Sequence, residues 1–289
     1  MKINFGGLEL SELNAVEETF VVIPVPYDLT SSYRPGSRRG PSAILDASAY
    51  VELYDEELRK ETWRAGISTR NEVEVDVRGP RYMIEKIHDE TASVLAEGKI
   101  PVILGGEHSI TIGAVRAMKE RFPALSVLQL DAHADLRDSY QSSSYSHACV
   151  ARRILDLSCP LVQLGVRSMS GEEALFLNER KGDILSLSVA ETTSVGLVER
   201  LCERLTDDLY VSIDLDVFDP SVIPATGTPE PGGLSWKDVT ELLRDISKVR
   251  RIRGFDVVEL CPVPGQPASD FTAAKLVYRF MGYLAEAAE

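Results

Sequence analysis

Three short segments of this 289-residue chain gather side chains that can bind cations or move protons. The first, Asp131-Ala132-His133-Ala134-Asp135, closes the apolar run Leu125–Leu130. Its ligand-type residues alternate with alanines, so extended backbone would turn all three to one face and leave room for close approach. A second run, Tyr210–Leu215, carries Asp214, is followed by Asp216, and leads into Asp219-Pro220. The third, Pro101–Leu104, opens into Gly105-Gly106-Glu107-His108-Ser109, where paired glycines would let the backbone turn and leave His108 at the mouth of a sheet.

Taken singly, a D-x-D or a lone histidine is ordinary turn, cap or solvated-edge material. Acids at the end of an apolar strand are different, because a buried carboxylate must be compensated and no Lys or Arg lies between Leu125 and Asp135. Two imidazoles (His108, His133) and four carboxylates (Asp131, Asp135, Asp214, Asp216), with no thiolate, suit a hard or borderline divalent ion such as Mn²⁺ better than structural zinc. Six ligands exceed the needs of one catalytic ion with an open position. Carboxylates shared between two ions about 3.5 Å apart would use them all, and a water between the ions would be acid enough to supply hydroxide near neutral pH. The expectation is a metal-dependent hydrolase.

Elements able to position these segments are visible in the pattern. Short β-branched runs alternate with amphipathic stretches, which predicts βαβ units and a mostly parallel sheet. Strands are expected at Phe20–Val25, Pro101–Leu104, Leu125–Leu130, Leu161–Val166, Leu209–Leu215 and Ile252–Leu260, among about seven or eight in all. Helices are expected over Arg81–Glu97, Ile112–Arg121 and Ser235–Val249, the last opened by Ser235 and Asp238. With no repeat, low-complexity tract or linker, residues 1–289 read as one domain. Ligand sites in such a sheet gather at the carboxyl ends of strands, where all three segments fall.

Composition narrows the partners. At 44% hydrophobic and 26% charged residues the chain can build a sizeable core, and its net charge of −14 argues against nucleic acid or an anionic membrane and for cationic ligands. No run approaches the roughly 20 apolar residues of a membrane span. Met1–Phe20 carries Glu12, Glu17 and Glu18 and lacks the basic and apolar regions of a secretory leader. Cys149, Cys159, Cys202 and Cys261 are widely spaced, so neither a disulfide framework nor a thiolate zinc site is expected, and the reducing cytoplasm is the expected compartment.

The segments Gly105–Ser109, Asp131–Asp135 and Ser212–Pro220, together with Pro224-Ala225-Thr226-Gly227-Thr228-Pro229, resemble the ureohydrolases, the family of arginases and agmatinases. Weaker similarity runs from about Phe20 to Tyr283. The resemblance implies a three-layer αβα fold with an eight-stranded sheet, trimeric or hexameric assembly, and hydrolysis of a guanidino group to urea and an amine by two Mn²⁺. His108, Asp131, Asp135 and Asp214 would hold one ion; His133, Asp131, Asp214 and Asp216 would hold the other. His147 would carry a proton to the leaving amine and Glu259 would pair with the substrate guanidinium, with Arg137 and Tyr145 beside the substrate.

Departures from the family pattern bear on the substrate. Where arginases hold the amino-acid end of arginine with an Asn and an Asp, this chain has Arg137 and Ser170. A cationic guanidine without that end, agmatine, is therefore expected, giving putrescine and urea. Agmatinases commonly place Gly-Thr after the histidine, but Ala148-Cys149 follows His147 here, which keeps N1-aminopropylagmatine open. Arg137 keeps a guanidino acid open, since guanidinium binds carboxylate. A silent metal-binding relative would lack a ligand, His147 or Glu259; a zinc deacylase would need one ion and fewer carboxylates.

Overall fold

The computed structural model describes residues 4–9 and 16–288. Much of the stretch read as having no secretory leader, residues 1–3 and 10–15, lies outside the described residues. Among the described residues ten strands follow in chain order: β1 Phe20–Val25, β2 Tyr54–Asp55, β3 Lys60–Glu61, β4 Ile67–Thr69, β5 Ile100–Gly105, β6 Ser126–Leu130, β7 Leu161–Leu164, β8 Ile184–Leu187, β9 Asp208–Asp214 and β10 Arg251–Val258. β2 and β3 pair as a small antiparallel hairpin. The other eight form one sheet in the order β4-β1-β5-β10-β9-β6-β7-β8, with every neighbouring pair parallel.

Parallel strands need crossover connections that return over a face of the sheet, and helices supply them. These are α1 Gly40–Ser48, α2 Pro80–Ala96, α3 Thr111–Arg121, α4 Val150–Asp156, α5 Gly171–Glu179, α6 Val189–Thr192, α7 Leu197–Cys202, α8 Trp236–Val249 and α9 Ala268–Ala288. Alternate residues of β5 serve opposite layers. Val102 and Leu104 join α1, α8 and α9 side chains in one apolar cluster, while Ile103 joins those of α2, α3 and α4 in the other. In the first cluster the Phe255 and Phe280 rings lie 4.5 Å apart between their centroids. This is the expected αβα arrangement.

Helix ends follow local chemistry. Ser235 caps α8 by accepting from the Asp238 N–H while the Asp238 carboxylate accepts from the Ser235 N–H, the reciprocal pattern its spacing predicts. Strands β4 and β8, of three and four residues, are not among those named from sequence. Strand order also exceeds local pattern: β10 and β9 insert between β5 and β6, which are successive sheet strands in the chain. That insertion creates a switch in winding direction, with a crevice at the carboxyl ends of β5, β10, β9 and β6. Register brings those ends level, pairing Leu104 with Val257, Val258 with Asp214, and Ile213 with Leu130.

A second polar feature lies away from this crevice. Asp55 of the hairpin is fully buried and meets Arg279 of α9 at 2.9 Å and Lys275 at 3.6 Å.

Candidate active site

Each of the four central strands delivers acids or imidazoles into the crevice: His108 follows β5, Glu259 follows β10, Asp214 ends β9 with Asp216 next, and Asp131, His133 and Asp135 follow β6. Gly106 is required at the first of these turns for a reason other than the one expected. Its φ is not positive; a side chain there would meet the Tyr27 carbonyl oxygen at 2.1 Å. Close approach of two backbones excludes every larger residue. Left-handed backbone occurs instead at Asp135 (φ +51°) and Glu259 (φ +66°), two non-glycine residues held in a sparsely populated region. Strain of this kind persists only where surrounding structure imposes it, and it aims both carboxylates inward.

The acids and imidazoles form two groups that share Asp131: His108, Asp131 and Asp135 in one, Asp131, His133 and Asp216 in the other. Asp131 turns Oδ2 to His108 Nδ1 at 3.2 Å and Oδ1 to His133 Nδ1 at 3.7 Å. His108 Nδ1 also lies 3.3 Å from both Asp135 and Asp214, and His133 Nδ1 lies 2.9 Å from Asp216. Asp214 Oδ1 accepts the Asp216 N–H at 2.9 Å.

Hydrogen bonds behind this layer fix its orientation. Ser212 donates to Asp256 at 2.6 Å, so its oxygen is left to accept from His108 Nε2–H at 2.9 Å. Thr111 and Tyr210 each donate to the same buried Asp256 at 2.8 Å. With Nε2–H given to Ser212, His108 turns Nδ1 toward three carboxylates, and it is a buried nitrogen without a hydrogen-bond partner. An orphaned imidazole nitrogen among acids fits a metal ion, and a proton-donating Nε2 with a carboxylate behind it is the usual support of a metal-bound histidine. Gln129 donates to Asp131 Oδ2 at 2.7 Å and is itself held by Gln163, extending that support to the shared acid.

Proton affinities report an excess of negative charge. Burial and then the neighbouring Asp131 push Asp135 up to about 7; burial and then Asp216 and Asp131 push Asp214 well above the carboxylate range. Against its own burial, Asp131 is held below that range by His108 and His133. Against theirs, His133 rises to about 12 and His108 well above its ordinary value through the facing aspartates. Both trends are what a cluster short of cations shows.

Of the remaining expected residues, Glu259, His147 and Arg137 line a cavity of about 260 Å³ above this cluster. Glu259 lines it, partly exposed, with Oε1 accepting the His108 N–H at 2.7 Å; burial and then Glu107 raise it to about 8. His147 lines the wall, driven down to about 4 by burial and then by His108, so it is neutral at pH 7. Arg137 also lines the wall, but its guanidinium stands 3.8 Å from Glu173 and over the Tyr140 ring at 5.0 Å. Ser170 is likewise engaged, capping α5 in a reciprocal pair with Glu173.

Tyr145 departs from expectation, packing against the apolar layer under α2, α3 and α4 and forming no part of the cavity wall. A tight turn between Tyr140 and Ser143 brings Tyr140 to the wall instead, its ring edge-on to His147 at 5.9 Å. Glu107, Thr30, Glu173 and Asp256 were not singled out from sequence. Two left local signals: Ser170 and Glu173 stand in capping-box spacing, and Asp256 is the one acid inside the strand Arg251–Val258. His88, on α2 and away from this cavity wall, joins Asp89 and Glu120 at 3.0 Å each.

A family model described as arginase matches residues 18–282. This chain belongs to the arginase family. It is 37% identical to the N(1)-aminopropylagmatine ureohydrolase of Synechocystis sp., over 99% of this chain and 96% of that one. With the enzyme of the same name from Thermus thermophilus it shares 40%, over 92% and 90%. The crystal structure of the agmatine ureohydrolase of Thermoplasma volcanium superimposes with a TM-score of 0.87 at 33% identity, covering 99% of this chain and 95% of that one. Within the arginase family the chain is thus a hydrolase resembling enzymes that act on agmatine-type guanidines.

Proposed function

We propose that the protein hydrolyses the guanidino group of an agmatine-type chain to urea and an amine, with N1-aminopropylagmatine preferred and agmatine accepted as a shorter substrate. The observation that carries the reading is Asp131 offering one oxygen to each of two imidazole–carboxylate groups beneath a cavity that also holds Glu259. His108, Asp131, Asp135 and Asp214 would hold one Mn²⁺, and His133, Asp131, Asp214 and Asp216 a second. Bound there, the ion pair would supply a polarised water acidic enough to attack near neutral pH.

The chain's own residues perform the rest. Glu259 keeps Oε2 free for the guanidinium, whose planar N–H fork suits a carboxylate and turns the carbon toward the water. Asp135 accepts a hydrogen bond from that water. His147, neutral at rest, takes at Nε2 the proton that the attacking water gives up and passes it to the departing nitrogen as the C–N bond breaks. Arg137 neutralises Glu173 and stacks on Tyr140, so it is not a free cation awaiting a substrate carboxylate; a guanidino acid is disfavoured accordingly. The extended substrate is preferred on the 37% and 40% identities to aminopropylagmatine ureohydrolases over nearly whole chains.

The enzyme is proposed as a single catalytic domain that assembles into trimers or hexamers in the cytoplasm, with no nucleic-acid or membrane partner. Among the described residues no helix is long and apolar enough to cross a membrane. Urea release measured with Mn²⁺ across N1-aminopropylagmatine, agmatine, guanidinobutyrate and arginine tests the assignment. The highest kcat/KM is expected for the first; arginine or guanidinobutyrate leading the series refutes the substrate assignment, and silence on all four refutes catalysis.

A further inference from the structure

Glu107 is fully buried beside the crevice, and no role falls to it in the chemistry above. It is a long side chain in a costly place, and its contacts show where it acts. Oε2 accepts the backbone N–H of Thr30 and Oε1 accepts the Thr30 hydroxyl, both at 2.5 Å, and Oε1 also accepts the hydroxyl of Ser109. Thr30, 77 residues earlier, sits on the loop that follows β1. The same Thr30 oxygen accepts the backbone N–H of His147 at 3.0 Å and stands 3.3 Å from its ring nitrogen Nδ1.

A hydroxyl has one hydrogen and two lone pairs. In its carboxylate form Glu107 can only accept, which commits the Thr30 hydrogen to it. The oxygen therefore has nothing to donate to His147 and can meet Nδ1 only as an acceptor. We infer that Glu107, acting through Thr30, is a positioning residue that fixes His147 as the Nδ1–H tautomer and leaves the Nε2 lone pair as its proton-accepting atom. The Ser146 hydroxyl, also 3.3 Å from Nδ1, and the Ser32 hydroxyl, 3.4 Å from Nε2, can each accept or donate and fit either tautomer.

Asp256, Ser212 and His108 make the opposite arrangement, with Nε2–H held by the serine and Nδ1 turned toward the acids. Each carboxylate–hydroxyl pair thus sets a different tautomer, one baring the nitrogen that faces the metal cluster and the other the nitrogen that faces substrate. The catalytic consequence rests on the proton-carrying role proposed for His147, whereas the tautomer itself can be read without turnover.

Only four histidines occur in the chain, so ¹⁵N-labelled imidazoles of the full-length protein, metal-free and with diamagnetic Mg²⁺, can be assigned with His147→Gln as reference. The wild type is expected to show His147 protonated at Nδ1. In Glu107→Gln the new amide donates to Thr30, which frees the threonine hydrogen for Nδ1 and moves the ring proton to Nε2; Thr30→Val loses the fixed tautomer and Thr30→Ser restores it. With Mn²⁺ and substrate, Thr30→Val lowers kcat about tenfold at unchanged KM and metal content, an effect on the order of one hydrogen bond. An Nε2–H tautomer in the wild type overturns the inference. So does an unchanged tautomer in both Thr30→Val and Glu107→Gln, or a shift produced by Ser146→Ala alone. Absence of urea release in every variant would refute the proposed function and leave the spectral outcome to decide the inference.

Discussion

Asp55 and Asp131 are the same residue type and both are fully buried, yet they sit in opposite electrostatic surroundings. Asp55 meets the Arg279 guanidinium at 2.9 Å and the Lys275 ammonium at 3.6 Å, and takes backbone N–H groups from Glu57 and Leu58. Asp131 meets imidazoles, an amide and the His133 N–H, and among the described residues no Lys or Arg side chain pairs with its carboxylate or with those of Asp135, Asp214 or Asp216. One acid was given a fixed cation by the fold and ties a hairpin to the last helix. The others were left without one, at strand ends beneath an open cavity, in two groups that could hold a metal ion.

Substitutions should therefore separate stability from activity between the two clusters. The largest effect is expected from Asp131→Asn. Urea release should fall roughly 10³-fold or more, since the acid shared by both ligand groups is lost, out of proportion to any fall in the thermal midpoint of the metal-free protein as His108 and His133 lose that partner. Arg279→Ala should do the reverse. Leaving Asp55 buried without its guanidinium should cost about 3–5 kcal/mol in thermal unfolding, with kcat per folded molecule unchanged.

Removing support behind a ligand is the next smaller perturbation. Asp256→Asn should weaken metal affinity about 10–100-fold by loosening the Ser212–His108 hydrogen bonds, as read by competition with a chelating dye. An unchanged affinity would mean that the hydroxyl alone orients the imidazole. The smallest effect belongs to the compensated cluster. Arg279, by hydrogen bonding, lowers Glu56 to about 2 from 4.5. Its contribution is present above pH 4.5 and disappears as pH falls through 2. Because the Glu56 side chain is 69% exposed, Glu56→Gln should remove less than about 1 kcal/mol at pH 6 and nothing below pH 2.

The contrast also explains what sequence could reveal. Alternation carries Asp131, His133 and Asp135 plainly, because ligands two residues apart on extended backbone share a face whatever the rest of the chain does. Asp214 and Asp216 are legible on the same ground, and the absence of Lys and Arg nearby is as visible as the acids themselves. Asp55 and Arg279 are not, because their partnership spans 224 residues and depends on a hairpin reaching α9. Glu107 stood within a noted segment, but its partner Thr30 lies in a different loop. The Tyr140–Ser143 turn decides which tyrosine reaches the cavity, and the register of β10 against β9 decides that Asp256 lies under Ser212.

Metal titration of the full-length protein, followed by bound-metal analysis and urea release from N1-aminopropylagmatine, tests the claim that the uncompensated acids await cations. Activity is predicted to rise with Mn²⁺, to saturate at two ions per chain, and to vanish on chelation, with Asp131→Asn binding fewer ions. Urea release that persists in excess chelator, or full activity with a single zinc per chain, would contradict it.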